Sequence, residues 1–379
     1  MYTAIILAAG FSRRMGRFKP LLHLQGRTVL ARCVRTFQRA GVEDLIVVLG
    51  HRRQEVAAEC ERLSVPWVHN PEYAQGMYSS VCRGVATLPR EAEAFFLLPV
   101  DIPLIRPWTL QAVRKAFLKE QPLVAYPCFQ GKRGHPPLLS AGLTDEILHF
   151  SGEGGLRRLL QDYESRALDV QTFDRNTLLD MDRPEDFAQA EQRWTRMGCL
   201  DREEAWALIQ RVYPISEQGL AHGRAVAETA ESLALSLNEA GCAVDTDLAY
   251  ACGLVHDMAK GQPRHEAAGG RLLASLGLTD MSPIVAAHRD LELSMQARIT
   301  AKEVVYLADK ITRGPDRVRV QERFQEKLDL YSHDPEAVTA ISRRLANARR
   351  VQERMERILG RPLQEVVPEI SALPTANLK

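Results

Sequence analysis

Closely spaced cysteine pairs are missing from this sequence of 379 residues. No two cysteines have the CxxC spacing of a zinc ligand pair, and their number, seven, is odd. They are scattered along the chain as Cys33, Cys60, Cys82, Cys128, Cys199, Cys242 and Cys252. This pattern argues against a cysteine zinc site and against a disulfide framework, and it predicts a reducing, cytoplasmic location.

Long apolar runs and a basic excess are missing too. The longest apolar run, Ala94 to Ile105, contains Asp101 and is far shorter than the roughly 20 residues of a membrane span. No basic residue precedes the apolar start MYTAIILAAG, so this segment does not fit a signal peptide. The net charge of +1 provides no broad basic surface. We therefore expect binding to neither nucleic acid nor a membrane.

The sequence does have an ordinary globular balance, with 45% hydrophobic and 26% charged residues, over a length that suits two domains. Over residues 1–195, short apolar strands alternate with helices. This alternation predicts a doubly wound, Rossmann-like α/β fold with a mostly parallel sheet. The predicted strands are Thr3–Leu7, Leu45–Leu49, Pro66–His69, Ala94–Pro99 and Leu123–Tyr126. The predicted helices are Thr28–Ala40, Arg52–Leu63, Tyr78–Thr87 and Pro107–Leu118.

After about Cys199 the strand signals vanish, and the pattern predicts an all-α domain. Its predicted helices are Glu203–Val212, Gln218–Glu239, Thr246–Lys260, Ala267–Leu276, Ala301–Thr312 and Pro335–Leu359. We assign residues 1–195 to the α/β domain and 197–335 to the helical domain. Residues 336–379 are assigned to a C-terminal helix attached to that domain, with a loose tail over the last dozen residues.

The first strand runs into a basic loop, LAAGFSRRMGRFKPLL, at residues 7–22. Small residues at its start let the backbone approach a ligand closely. Cations follow at Arg13, Arg14, Arg17 and Lys19. Backbone N–H groups and guanidinium groups in this arrangement suit a triphosphate. The loop is neither a Walker loop nor a GxGxxG fingerprint.

This loop resembles the signature of the molybdopterin nucleotidyltransferase family, LAAGxSxRMGxxKxLL. Three later segments, QGMYSSVCRGV, LLPVDIPLI and DMDRPEDF, resemble further family motifs in the same order. The resemblance implies transfer of a nucleotidyl group to a molybdopterin-type acceptor with release of pyrophosphate. Ala9 resembles the branch that uses CTP, whereas the GTP branch typically has LAGG. Molybdoenzymes are then expected among the partners.

The resemblance also implies roles for single residues. Lys19, Arg14 and Asp101 are expected to be catalytic. Lys19 would neutralise charge on the α-phosphate, and Arg13 and Arg14 would hold the β- and γ-phosphates. The expected nucleotide-binding residues are Leu7, Ala8, Ala9, Gly10, Arg13, Gly76, Met77, Ser79 and Ser80. Alternatively, the two serines cap the helix that follows them.

A magnesium ion is expected in this first domain, because Mg²⁺ prefers one or two carboxylates together with phosphate oxygens. Asp101 follows the apolar run AFFLLPV at the carboxyl end of a strand. The two further candidates for metal binding are Asp180 and Asp182. Asp182 can instead be the N-cap of the helix that begins near Glu185. We therefore favour Asp180 as the second metal carboxylate.

Two segments suit the acceptor. KRGHPPLLS, residues 132–140, and FSGEGGLRRLL, residues 150–160, resemble stretches of the cytidylyl branch. Glycines and arginines before a helix favour an anion at its N-terminus. Glu153 stands where the family often has Asp, which leaves the acceptor less certain than the nucleotidyl transfer.

In the second half, His222, His256, Asp257 and Asp309 each interrupt an apolar helical run. A buried aspartate is costly unless it is paired or binds a metal, so these residues are expected to share a site between helices. In this order they resemble the H…HD…D motif of the HD phosphohydrolase superfamily. The resemblance implies a divalent transition metal such as Mn²⁺ or Fe that activates water for phosphoryl hydrolysis.

A second metal in this domain is an open alternative. His265 and His288 are placed to hold it, yet dinuclear members often have HH where this chain has His288–Arg289. Lys260 either neutralises a substrate phosphate or is an ordinary cation at a helix C-terminus.

Three other functions stay open on the sequence. The transferase can use GTP, or a sugar or alcohol phosphate as acceptor. The second domain can be a non-catalytic nucleotide-binding module. The whole chain can be a molybdoenzyme maturation chaperone, a hypothesis that the dense phosphate loop makes weakest.

Overall fold

The computed structural model describes residues 1–291 and 298–367. The chain divides after Arg196 into two compact units, called unit 1 and unit 2 below. The predicted loose tail lies outside the described residues.

Unit 1 is an α/β fold, which confirms the fold class expected from the sequence. Its strands are β1 Tyr2–Ala8, β2 His23–Leu24, β3 Arg27–Thr28, β4 Asp44–Leu49, β5 Trp67–His69, β6 Ala94–Pro99, β7 Val124–Phe129, β8 Lys132–Arg133, β9 Leu138–Ser140 and β10 Ala167–Gln171. Its helices are α1 Val29–Arg39, α2 Arg53–Leu63, α3 Met77–Val85, α4 Pro107–Glu120, α5 Thr144–His149, α6 Gly155–Gln161 and α7 Pro184–Thr195.

In the part of unit 1 that the structure describes, the main sheet has the order β10-β7-β9-β6-β1-β4-β5, with β8 paired to β7. Strand β1 pairs in parallel with β4 and β6. Strand β9 is antiparallel to both β6 and β7, so the sheet is mixed. The sequence did not predict β9, because two leucines and a serine after a proline pair are too short for a strand signal.

Parallel pairing brings the carboxyl ends of β1, β4 and β6 to one edge of the sheet. The phosphate loop follows β1 at this edge, and Asp101 follows β6. Helix α3 packs directly on β1. The approach at Gly84 is so close that an added Cβ atom would lie 2.6 Å from Ile5 Cγ2. This close approach holds the start of α3 beside the same edge, where ligands bind in open α/β sheets.

Unit 2 is mainly helical. Its elements are α8 Arg202–Ala207, α9 Glu217–Glu239, α10 Thr246–Val255, α11 His265–Ser275, α12 Ser282–Ala286, α13 Ala301–Lys310, β11 Thr312–Arg313, β12 Asp316–Arg317, α14 Val320–Leu330 and α15 Pro335–Leu359, with a π-helical turn at Leu208–Val212. Helix α9 packs on α10 and α13, which makes these three the frame of the unit.

Two predictions for unit 2 were wrong in detail. The β11–β12 hairpin departs from the predicted all-helical pattern. The sequence did not predict it, because strands of two residues leave no periodic signal. Helix α10 ends at Val255 rather than Lys260, because the backbone then tightens into i to i+3 hydrogen bonds, with the Lys260 N–H donating to the Asp257 carbonyl at 2.8 Å. This turn takes His256 and Asp257 off the regular helix.

None of the helices within residues 1–291 and 298–367 is both long enough and apolar enough to cross a lipid bilayer.

Candidate functional sites

A cavity of about 490 Å³ opens at the carboxyl edge of the unit 1 sheet. The predicted nucleotide-binding residues that line it are Leu7, Ala9, Gly10, Arg13, Gly76, Met77 and Ser80, and the predicted catalytic residues that line it are Lys19 and Asp101. Three other predicted residues lie apart from its lining, and one of them, Arg14, pairs with Asp182 at 2.8 Å. Ala8 is fully buried in β1, and the Ser79 hydroxyl donates to the Gly76 carbonyl at 2.9 Å.

Lys19 is the centre of a charged cluster at this cavity. Its Nζ atom donates to Asp101 Oδ2 at 2.9 Å and to Asp182 Oδ1 at 2.8 Å. The side chain is buried, and its backbone N–H donates to Ser12 Oγ at 3.1 Å. Burial alone would lower the pKa of Lys19, but the hydrogen bonds and charges of the two carboxylates outweigh it and raise that pKa. The ammonium charge is therefore fixed at the cavity.

Asp182, and not Asp180, joins this cluster. The Met181 N–H donates to the Asp101 carbonyl at 3.0 Å, which sets the segment beside Asp101. Asp182 Oδ2 also pairs with Arg14 Nη1 at 2.8 Å. Asp180, in contrast, is exposed to solvent. The cation contacts lower the pKa of Asp182, with the Lys19 hydrogen bond as the main cause.

The prediction that Asp182 caps the following helix was wrong. The N-cap of α7 is Arg183, and the Asp186 carboxylate accepts from the N–H groups of Asp182 and Arg183 at 2.9 and 2.7 Å. Because Asp186 satisfies these donors, the Asp182 carboxylate is available to Lys19 and Arg14. The sequence-based preference for Asp180 rested on giving Asp182 this capping role, and the geometry removes that basis.

The serine pair of α3 does not cap the helix either, since the N-cap is Gly76. Instead, Asn70 Nδ2 donates to Ser79 Oγ at 2.9 Å and to Ser80 Oγ at 3.0 Å. Asn70 follows β5, so this contact ties the start of α3 to the carboxyl edge of the sheet. The sequence analysis missed Asn70. Its signal is that Asn is a turn-forming residue and that it stands directly after a strand.

A second cavity of about 720 Å³ shares Leu7, Met77 and Pro99 with the first. It is lined by residues of both predicted acceptor segments, namely Arg133, His135, Pro137, Gly154, Gly155, Leu156, Arg157 and Leu160. Glu153 is exposed and does not line it. Burial lowers the pKa of His135, so its neutral form is favoured. The cavity combines apolar walls with cationic side chains, which suits an acceptor that is partly anionic.

In unit 2 the predicted histidines and aspartates come together in one cluster. His222 lies on α9, His256 and Asp257 follow α10, and Asp309 lies on α13. Asp309 Oδ1 is 3.4 Å from His222 Nε2 and 3.7 Å from His256 Nε2. His222, His256 and Asp257 can each point one ligand atom at a single metal ion. We call these three residues the first triplet.

A second group meets the same requirement and includes Asp257 again. Asp257 Oδ1 is 3.4 Å from both His265 Nε2 and His288 Nε2. Asp257, His265 and His288 form the second triplet. Asp257 therefore belongs to both triplets. Arg289, the departure from the family's HH, is exposed and pairs with Glu266 at 3.6 Å.

The histidines are oriented from behind by backbone carbonyls. The Nδ1 atoms of His256 and His288 lie 2.7 Å from the carbonyls of Gly253 and Val285. These contacts turn the Nε2 atoms inward, the usual support of a metal-binding imidazole. Among the described residues, His256 Nε2 is buried without a hydrogen-bond partner. An orphaned nitrogen facing carboxylates fits a bound divalent metal.

The protonation states suit metal binding as well. Burial lowers the pKa of His256 to about 4, so the neutral, ligating form prevails near neutral pH. Burial opposes ionisation of Asp257, but the contacts with His288, His256 and Lys260 keep its pKa below the usual range. Lys260 is exposed and its Nζ donates to Asp257 Oδ2 at 2.7 Å.

These two sites define the classes of domain present. A phosphate loop with a lysine and two carboxylates at a sheet edge is typical of nucleotidyltransferase-type domains, and the histidine and aspartate cluster has the residue types of a metal site in a helical domain. Residues 4–168 match the family model of the MobA-like NTP transferase domain, and residues 219–314 match that of the HD domain. The chain therefore carries a MobA-like NTP transferase domain followed by an HD domain.

Two curated proteins illustrate the similarity of unit 1. The chain is 28% identical over 194 residues to the molybdenum cofactor cytidylyltransferase of Escherichia coli, covering 51% of this chain and 97% of that protein. It is 42% identical over 104 residues to the bifunctional IPC transferase and DIPP synthase of Rubrobacter xylanophilus, covering 26% of this chain and 23% of that protein. Among solved structures, Rv0371c from Mycobacterium tuberculosis is 25% identical, with a TM-score of 0.45, covering 50% of this chain and 97% of that one.

Proposed function

We propose that unit 1 transfers CMP from CTP to a molybdopterin-type acceptor. The observation that carries this proposal is the Lys19 cluster at the cavity beside the phosphate loop, which shares three lining residues with the cavity beside the acceptor segments. The similarity along 97% of a molybdenum cofactor cytidylyltransferase supports the choice of substrates. The free cysteines of the described chain support a cytoplasmic location.

In this reaction a phosphate oxygen of the acceptor attacks the α-phosphorus of CTP. The new P–O bond forms as the bond to the bridging oxygen breaks, and pyrophosphate leaves. Lys19 offsets the negative charge that develops at the α-phosphate. Arg13, exposed at the cavity, is placed to contact the outer phosphates. The second cavity holds the acceptor so that its attacking oxygen is in line with the α-phosphorus and the leaving pyrophosphate.

Magnesium fits this site, because the carboxylates of Asp101 and Asp182 converge on a single atom, Lys19 Nζ. We propose these two residues as its protein ligands. Bound Mg²⁺ supplies charge neutralisation on the triphosphate and orients it. Arg14, which pairs with Asp182 at 2.8 Å, would be available to the phosphates if that carboxylate held the metal.

The test is pyrophosphate release by the full chain with each of the four NTPs, with and without purified molybdopterin. We expect release with CTP that depends on the acceptor. Release with GTP alone would contradict the cytidylyl assignment. Release with CTP but without molybdopterin, when sugar or alcohol phosphates are supplied, would contradict the acceptor assignment.

That last outcome is the second candidate function. It is favoured by the 42% identity to the bifunctional IPC transferase and DIPP synthase, which is higher than the identity to the cytidylyltransferase although it covers fewer residues. Arg157 at the wall of this cavity can contact a phosphate on either kind of acceptor.

We propose that unit 2 is a metal-dependent phosphohydrolase. The observation that carries this is the pair of triplets sharing Asp257. Imidazole and carboxylate ligands favour Mn²⁺ or Fe. Such ions activate a bound water and polarise a phosphoryl oxygen. Lys260, beside Asp257 and exposed to solvent, is placed to meet a substrate phosphate.

The test compares the full-length protein with its Asp257→Asn variant. We expect the wild type to bind up to two Mn²⁺ ions and to hydrolyse p-nitrophenyl phosphate or a nucleotide phosphate, and the variant to lose both properties. A wild type that binds Mn²⁺ without hydrolysing any phosphate ester would favour a non-catalytic nucleotide-binding module.

A further inference from the structure

Helix α14 lies beyond residues 219–314, the part of the chain that matches the HD domain, yet one of its side chains reaches the metal-ligand cluster. Arg323 Nη2 donates to Asp309 Oδ1 at 3.1 Å. Its Nη1 atom donates to the Thr312 carbonyl, on the first strand of the β11–β12 hairpin. One guanidinium therefore bridges a proposed metal-site carboxylate and the hairpin.

The hairpin in turn supports the first histidine of the cluster. His222 Nδ1 lies 3.1 Å from the carbonyl of Gly314, in the turn between β11 and β12. The Thr312 hydroxyl donates to the Ala308 carbonyl at 2.8 Å, which fixes the hairpin to the end of α13. The orientation of His222 thus depends on where this hairpin stands.

Asp309 is held from both sides of its carboxylate. Lys310 Nζ donates to Oδ2 at 2.6 Å, and Arg323 contacts Oδ1, the oxygen that faces His222 and His256. A carboxylate with a cation on each oxygen has little freedom to rotate. The Arg323 contact therefore fixes the Asp309 oxygen that faces two members of the first triplet, His222 and His256.

We propose that Arg323 is a positioning residue that sets Asp309 and, through the hairpin, His222 for a metal ion at the first triplet. This inference rests on the proposed metal site of unit 2. Within the described part of the chain, Arg323 makes no hydrogen bond or ion pair with Asp257, His265 or His288, so its effect is expected at the first triplet. Partners of metal ligands typically change metal affinity by about 10- to 100-fold when they are removed.

The test is a Mn²⁺ titration of the full-length protein. Binding is measured by calorimetry and by the electron paramagnetic resonance signal of free Mn²⁺. We expect Arg323→Gln to weaken the first-triplet ion by about 10- to 100-fold and to leave an ion at the second triplet unchanged. The matched control is Arg350→Gln, an exposed arginine on α15, which should bind as the wild type does. Unchanged affinity in Arg323→Gln overturns the proposal.

Two further variants separate positioning from simple loss of folding. Arg323→Lys keeps a cation near Asp309 but has one ammonium in place of the two-pronged contact, so its affinity should fall between wild type and Arg323→Gln. In a His222→Ala background, Arg323→Gln should have less effect than in the wild type, because the hairpin route has already been removed. Wild-type affinity in Arg323→Lys, or fully additive losses in the double variant, overturns the proposal. A wild type that binds no Mn²⁺ would instead overturn the metal site itself.

Discussion

The choice between Asp182 and Asp180 is the sharpest prediction for unit 1. Asp182→Asn removes the charge that accepts from Lys19 at 2.8 Å and pairs with Arg14 at 2.8 Å, while the side chain keeps its size. Asp180→Asn makes the same chemical change two residues away, at an exposed position. The two variants are therefore matched in sequence context and differ in what the carboxylate contacts.

The expected magnitudes differ widely. Loss of one fixed electrostatic contact from a catalytic site typically lowers kcat by about 100- to 1000-fold, which is about 2.7–4 kcal/mol. An exposed carboxylate contributes about 1 kcal/mol or less, so Asp180→Asn should change kcat less than about fivefold. Lys19 keeps its bond to Asp101 in the Asp182 variant, so the protein should remain folded.

The assay is pyrophosphate release from CTP at saturating Mg²⁺, with thermal unfolding of each variant as the control. Repeating it over a range of Mg²⁺ concentrations tests the metal role, since a lost ligand should raise the Mg²⁺ requirement. The reasoning is refuted if Asp180→Asn loses activity and Asp182→Asn keeps it, with both variants folded.

Gly84→Ala should destabilise unit 1 by about 1–3 kcal/mol, measured by urea unfolding, because the added Cβ would lie 2.6 Å from Ile5 Cγ2; unchanged stability would mean that α3 does not pack so closely on β1. Arg157→Gln should raise the acceptor KM and leave the CTP KM unchanged, while Arg158→Gln, whose arginine pairs with Asp162 at the surface, should alter neither; equal effects of the two variants would remove Arg157 from the acceptor site. Removing metal with EDTA should lower the stability of unit 2 by about 2.7 kcal/mol relative to metal at 100 times its Kd, seen as a lower Tm that Mn²⁺ restores, and no Tm change would argue against the metal site.

Sequence reasoning reached the main elements of unit 1 because their signals are local. Strand β1 is a continuous apolar run, and the phosphate loop after it contains its own glycines and cations. Strand β9 and the β11–β12 hairpin gave no such signal, because they are only two or three residues long. Their formation depends on pairing with neighbours that are distant in the sequence or that only the folded chain brings close.

Both classes of domain can be recognised from the order and spacing of LAAGFSRRMG, His256–Asp257 and Asp309, without coordinates. The carboxylate that meets Lys19 depends on the folded chain, because Asp186 takes the capping role and leaves Asp182 available. Folding likewise brings Arg323 to Asp309, across 14 residues and a hairpin. In both cases a charged side chain pairs with the group that the fold places nearby and buries with it, and local periodicity encodes neither the distance nor the burial.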